Sequence, residues 1–303
     1  MLTACQIAPC VSSVVVTDVD GTLLDTHLKI PAATQETLAI LRRRNIPVIP
    51  CTGRGPKSFQ LVTGGEVMPV YPGIYHHGQL AYDASGKVVS HTHLPMEAIR
   101  ALQGYATRTA NQLMVYSGDR IFLAAGASDM GTKFCSKYME PTPEVVDDVC
   151  AFMEMHDMLP TRATLMSPKL DVQWATIKQE VLVLEDETGT ALATCCQFRQ
   201  SVPDIIDITP NSIDKGVALR SLLDSLGLSS DTAVALGDGE NDAPLLKGVH
   251  MGVSMGNGMS LTKAAARCVT RHVDDDGWST AVRRFALAEK ICACDLHDEC
   301  CNS

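Results

Sequence analysis

The chain has 303 residues, 46% apolar and 20% charged, the balance of a soluble globular protein with room for one large domain or two ordinary ones. A formal net charge of −10 argues against a nucleic-acid partner or an anionic membrane surface, since both need a basic footprint. No apolar run approaches the ~18 residues of a spanning helix, and the opening "MLTACQIAPC" lacks the basic stretch of a signal peptide, so a cytoplasmic protein is expected.

"VVVTDVDGTLLD" (14–25) is the first predicted element, a run of β-branched residues suited to a buried strand that ends in Asp18 and Asp20. Gly21 and Thr22 then let the chain turn and expose backbone N–H groups. "PAATQETLAILRRRNIPV" opens with Pro31, spaces Leu38 and Leu41 by three, and gathers Arg42, Arg43 and Arg44 where cations suit a helix C-terminus. "IPVIPCTGRG" reads as a second short strand running into a Thr52-Gly53-Arg54 turn.

From about 83 to 200 the rhythm changes. "NQLMVYSGDRIFLAAG" predicts a hairpin around Ser117-Gly118-Asp119, "PTPEVVDDVCAFMEMHD" a helix after Pro143, and "EVLVLEDETGTALATCCQF" a hairpin turning at Thr188-Gly189. Met153, Met155 and Met158 are read as helix packing. This stretch is expected to be an α+β module inserted into an α/β core, which divides the chain into a discontinuous core (1–82 and 201–303) and a cap (83–200).

The alternating pattern then resumes. "DKGVALRSLLDSLGL" places Leu219, Leu222, Leu223 and Leu226 on one helical face and closes at Gly227. Ala233–Leu236 predicts a buried strand meeting "GDGEND", and "VHMGVSMGNG" and "RCVTRH" supply two more short strands. Strands alternating with helices imply a parallel sheet covered on both faces, with its ligand site outside the strands' carboxyl ends.

Asp18, Asp20, Thr52, Lys215 and the acids of "GDGEND" therefore converge on one edge. Several acids in one place need a cation, and hard carboxylate oxygens with water and phosphate suit Mg2+, placed here on Asp18 and Asp238. With charge neutralised by Mg2+ and Lys215, Asp18 is the candidate nucleophile towards phosphorus and Asp20 the candidate acid and base. Thr52 offers a hydroxyl and Lys215 an ammonium to the phosphoryl oxygens.

Taken in order, "DVDGTLLD", "TGR", "DKG" and "GDGENDAPLL" resemble the four signature motifs of the haloacid dehalogenase-like superfamily. "GVSMGNG" and "DDDGWSTAV" resemble its Cof-type sugar-phosphatase branch. The resemblance implies a Rossmann-like core with a large α+β cap, and a Mg2+-dependent phosphatase acting through an aspartyl-phosphate on a small phosphorylated metabolite, sugar phosphates foremost. It implies Asp18 as nucleophile and metal ligand, Asp20 as acid/base and metal ligand through its carbonyl, and Asp238 as metal ligand. Thr52, Gly53, Lys215 and Asn241 are then the phosphate contacts, with Asp242 supporting the metal or Lys215 from behind. A phosphomutase of the phosphomannomutase type and a ligand-binding protein without turnover remain alternatives.

The sequence departs from the family pattern at His77, in "HHGQL" where an Asn is usual, at Asp214, where Ser is common before the lysine, and at Gly258, where Ala is usual. An extra carboxylate at Asp214 is expected to lower the positive charge of the site. His76 and His77 serve either packing or the site, and His91 and His93 alternate as an exposed strand face would. Arg162, Lys169 and Trp174 are candidates for the non-phosphate end of a substrate. The twelve cysteines are read mostly as buried hydrophobes or free thiols. Those of the tail, Cys292, Cys294, Cys300 and Cys301 with His297, fit no standard zinc spacing, and the last four residues match a prenylation box only in part. The protein is expected to act as a monomer or small homo-oligomer.

Overall fold

A computed structural model describes residues 12–65, 67–109, 111–126, 128–167, 170–199 and 205–289, with backbone alone for 170–174. The cysteine-rich tail lies outside these residues. Two compact units emerge: the described residues of Met1–Gly53, Val62–Ser90 and Asp214–Ser303, and those of Arg54–Leu61 and His91–Ile213.

In the first unit a five-stranded parallel sheet runs β1 (Val14–Thr17), β2 (Val48–Pro50), β12 (Ala233–Gly237), β13 (Met251–Ser254) and β14 (Cys268–Val269), in the spatial order β14-β13-β12-β1-β2. Val14, Val15 and Val16 are fully buried, each stabilising the fold by roughly 1.5–3 kcal/mol. Such continuous apolar strands require cover on both faces. It comes from α1 (Ala32–Arg43), α7 (Lys215–Leu226), α8 (Ala243–Lys247), α9 (Ser260–Ala265) and α10 (Gly277–Phe285). α1 buries Thr34, Thr37, Leu38 and Leu41, and α10 buries Trp278, Ala281, Val282 and Phe285, each set at helical spacing on one face.

Register sets the site. Thr17 pairs with Pro50 on one side and Leu236 on the other, while Gly237 pairs with Ser254. The chain leaves β1 for β2 on one flank and returns to β12 on the opposite flank. This reversal of strand order is where open α/β sheets hold their ligands. A small antiparallel sheet of β3 (Gly73–Tyr75), β4 (Leu80–Tyr82) and β5 (Val88–His91) follows α2 (Pro56–Thr63). Its strands carry too few residues to show a period in the sequence.

The second unit has a six-stranded sheet in the order β10-β11-β9-β6-β7-β8: β6 (Gln112–Ser117), β7 (Arg120–Ala124), β8 (Glu144–Val146), β9 (Arg162–Met166), β10 (Cys196–Arg199) and β11 (Ile205–Pro210). One face packs Val115, Ala163, Leu165, Ile206 and Ile208 against α3 (Met96–Arg108), α5 (Val149–Met155) and α6 (Leu170–Leu182), while Met114, Tyr116 and Met166 meet Phe134 and Cys135 of α4 (Met130–Tyr138). The hairpin at Ser117-Gly118-Asp119 forms as expected, with Ser117 opposite Arg120.

Three expectations here are corrected. Residues 144–146 pair with β7 as a parallel strand, and the helix starts only at Val149, where the Asp148 side chain accepts the Ala151 N–H at 2.9 Å. The second hairpin reduces to a single Glu185–Ala191 bridge around the Thr188-Gly189 turn, because "EVL" closes α6 with Val181 buried alongside Ile177, four residues earlier. Met153 packs inside as read, but Met155 is 80% exposed.

Trp278, 1% exposed, donates its Nε1–H to Thr17 Oγ1 at 2.9 Å, and that hydroxyl donates to the carbonyl of Asp18 at 2.6 Å. Trp278→Phe, which keeps most of the packing and removes the first bond, is expected to destabilise the protein by about 1–3 kcal/mol. Chemical denaturation monitored by circular dichroism checks this.

Candidate active site

Asp18 follows β1 directly, and its N–H extends the ladder to Leu236 O at 2.9 Å. Its Oδ1 accepts from Lys215 Nζ at 2.6 Å, and the same ammonium donates to Asp242 Oδ1 at 2.6 Å. Lys215 is the first residue of α7 and is 1% exposed. Asp242 Oδ2 accepts the N–H groups of Asp238 (3.0 Å) and Gly239 (2.9 Å), so both of its oxygens are engaged. Asp238 Oδ1 accepts from Thr22 Oγ1 at 2.8 Å. Asn257 Nδ2 ties the two loops together by donating to Gly21 O at 2.7 Å and to Asp238 Oδ2 at 3.3 Å.

Gly21 is needed for shape. Its φ is +72°, and a Cβ there would collide with Asp238 Oδ2. The turn after β1 thus folds flat against the loop after β12.

Oxygens of Asp18, Asp238 and Asp242 lie within 4.8 Å of one another. Three carboxylates here share one ammonium. Burial opposes the charge on Lys215, but Asp18 and Asp242 outweigh it and hold the amine above its ordinary range. Burial and the neighbouring Asp242 push Asp18 up, against the pull of Lys215. Burial and Asp242 push Asp238 up to about 7. The excess negative charge calls for protons or a cation, and the donor set is oxygen only, which fits Mg2+. With Asp242 committed to Lys215 and to backbone N–H groups, the carboxylates open to such an ion are those of Asp18 and Asp238.

The remaining predicted residues stand close by in the fold. Asp20 sits on the turn beyond β1, bridged to Leu24, and its charge reaches Asp238. Thr52 is buried beyond β2; its N–H donates to Ile74 O and its carbonyl accepts from His77 N, both at 2.9 Å. Gly53 lies against the His77 ring, whose Nδ1 meets Asn241 Nδ2 at 2.9 Å. Cys51 adjoins these groups, and burial keeps its thiol far above the usual range, so it stays protonated.

Asp214 carries the extra charge expected from the sequence, close enough to act on the buried Cys51 thiol, and it has a local task as well. Its side chain accepts the Val217 N–H at 2.8 Å and caps α7, a task that Ser performs equally well. Gly258 is no free choice either, since a Cβ there would collide with Ser254 Oγ. Of the candidates for a substrate's far end, Arg162 is buried in the second unit, 3.4 Å from Asp207 Oδ1 and 4.0 Å over the Tyr116 ring. Lys169 and the Trp174 side chain lie outside the described residues. His91 and His93 meet with their rings tilted by 57° and their centroids 3.8 Å apart. Sequence reasoning missed Thr22 and Asn257, although both fall inside motifs it had marked.

A family model described as haloacid dehalogenase-like hydrolase matches residues 15–282. A chloroplastic protein of Arabidopsis thaliana named endoribonuclease YBEY is 28% identical over 278 residues, 89% of this chain and 46% of that protein; the chain spans about half the length of that relative. The HMP-PP phosphatase of Escherichia coli O157:H7 is 23% identical over 247 residues, 82% of this chain and 85% of the enzyme. Among solved structures, a haloacid dehalogenase-like hydrolase from Bacteroides thetaiotaomicron superposes with a TM-score of 0.75 at 22% identity, covering 90% of this chain and 99% of that one. The subclass IIB sugar phosphatase BT4131 gives 0.74 at 22%, covering 90% and 98%. These superpositions show the fold.

The charge excess sets a pH dependence. A carboxyl raised to about 7 in the folded metal-free protein, against about 3.9 unfolded, keeps its proton longer when folded, so stability falls as pH rises between those values. Mg2+ is therefore expected to raise the melting temperature more at pH 8 than at pH 5.5, by several degrees, and Asp238→Asn to abolish the difference. Thermal melts with Mg2+ and with EDTA at both pH values check this.

Proposed function

The chain belongs to the haloacid dehalogenase-like hydrolase family, and from that membership we propose that it is a Mg2+-dependent phosphatase of small phosphomonoesters, sugar phosphates foremost. The observation that carries the reading is Lys215 bonded to Asp18 and Asp242 at 2.6 Å each, beside Asp238, at the switch point of a parallel sheet. A carboxylate held this way keeps one oxygen bound to the ammonium and leaves Oδ2 to attack. The phosphatase names of the Escherichia coli relative and of BT4131 support the choice of reaction, and the latter supports the choice of sugar phosphates.

In the proposed reaction, Asp18 Oδ2 forms a bond to phosphorus as the bond to the alcohol oxygen breaks, and Asp20 gives that oxygen its proton. Asp20, now ionised, takes a proton from water as the water oxygen attacks the phosphoryl-aspartate. The bond to Asp18 breaks, and phosphate and the carboxylate are restored. Thr52, Gly53, Lys215 and Asn241 bind the phosphoryl oxygens throughout. Asp242 keeps Lys215 in place by taking one of its N–H bonds, so the ammonium neutralises charge without displacing Asp18. Mg2+, held by Asp18, Asp238 and the carbonyl of Asp20, would supply the charge that lets a carboxylate approach a phosphate. Cytoplasmic location and action as a monomer or small homo-oligomer belong to the same proposal; no described helix is long and apolar enough to cross a membrane.

The test is phosphate release from a panel of sugar phosphates and p-nitrophenyl phosphate, with and without Mg2+, by the wild type and Asp18→Asn. Metal-dependent release is expected, reduced at least about a thousandfold in the variant. Equal release by the variant, or none by the wild type from any member, contradicts the proposal.

A further inference from the structure

We infer that His77 is a positioning residue that fixes which end of the Asn241 amide faces the phosphoryl group, an inference that rests on the proposed phosphate contact of Asn241. His76 and His77 hold φ of +49° and +59°, two consecutive left-handed residues that are not glycine. Such a backbone persists only where its surroundings fix it. Here the His77 N–H donates to Thr52 O at 2.9 Å. The next residue, Gly78, has φ +109° and lies so close to the Asp214 carbonyl at the start of α7 that a Cβ would clash with it. The turn is pinned on both sides, and its outcome is to bury the His77 ring against Gly53, where a Cβ would overlap the imidazole.

From there His77 Nδ1 meets Asn241 Nδ2 at 2.9 Å. An amide nitrogen only donates, so this contact is a hydrogen bond for a neutral imidazole that carries its proton on Nε2 and accepts at Nδ1. The Asn241 Oδ1 lies on the other side, over Gly239, where a Cβ would clash with it. The amide thus has its nitrogen on the His77 side and its oxygen on the Gly239 side. One N–H goes to His77, and the second remains a donor for an anionic oxygen. Turned over, the same amide would offer an acceptor in place of that donor and repel a phosphate. With its proton on Nε2, His77 therefore selects the donor orientation, linking the loop after β2 to the loop after β12. An Asn at position 77 has its Oδ1 where the histidine has Nδ1 and can accept the same bond.

The test uses His77→Gly, which suits the φ of +59°, together with His77→Asn, Asn241→Ala and the double variant His77→Gly/Asn241→Ala. KM and kcat for p-nitrophenyl phosphate with Mg2+ are measured alongside the Kd of inorganic phosphate by calorimetry. His77→Gly is expected to raise KM and Kd roughly tenfold, the worth of one oriented hydrogen bond, with kcat within about threefold. His77→Asn should stay near wild type, and the double variant should be no worse than Asn241→Ala, because His77 acts through that amide. Unchanged Kd in His77→Gly, or additive losses in the double variant, overturns the inference. Should His77→Gly fail to fold, His77→Asn decides, since a tenfold rise in Kd there is equally contrary. If the wild type binds phosphate but releases none from any ester, the proposed hydrolysis fails while the phosphate-binding comparison still judges His77.

Discussion

One buried ammonium organises this protein's sheet edge. Lys215 is almost fully enclosed, and an amine in that position would lose its charge unless carboxylates faced it. Asp18 and Asp242 both do, at 2.6 Å. The two acids come from different loops and Lys215 from the first turn of α7, so a single ion pair network fixes three chain segments that are separate in sequence. The network is not neutral. With Asp238 alongside, it gathers more acidic groups than Lys215 can neutralise, and in the proposed function that surplus is what a divalent cation and then a phosphoryl group would meet.

The supporting structure exists to hold those groups still. Thr17 lies between Trp278 and the Asp18 carbonyl, so the last residue of β1 is anchored from the helix layer. Asn257 stitches the turn at Gly21 to Asp238, and Thr22 orients the other oxygen of the same carboxylate. Asp214 caps the helix that begins with Lys215. Each bond is modest on its own. Together they leave these carboxylates little freedom to move, which is what the proposed catalysis would demand of its donors and charges.

Much of this was legible in the sequence because the core obeys strong local rules. Val14–Thr17 and Ala233–Leu236 read as buried strands, and parallel strands place their carboxyl ends together, so Asp18 and Asp238 are expected to meet without any knowledge of packing. What escaped was decided by partners instead of pattern. Glu144–Val146 became a strand because β7 offered an edge, and "EVL" became the end of a helix because Val181 had a core to enter. The strands β3–β5 are too short to announce themselves. That Asp214 also caps α7 is not legible, because a carboxylate beside a lysine looks the same in sequence whether or not it bonds a helix N-terminus. Thr22 and Asn257 sit in marked motifs, yet only the folded loops show what their side chains hold.

The most direct measurement of the central claim, that Asp18 itself bonds to phosphorus, is acid quenching of the first turnover with a phosphate-radiolabelled ester, followed by peptide mapping. The label should appear on the peptide bearing Asp18 and be discharged by hydroxylamine, as an acyl phosphate is. Phosphate release with no labelled protein at any quench time, or label on a different residue, would contradict the account and assign the attack to water or to another group.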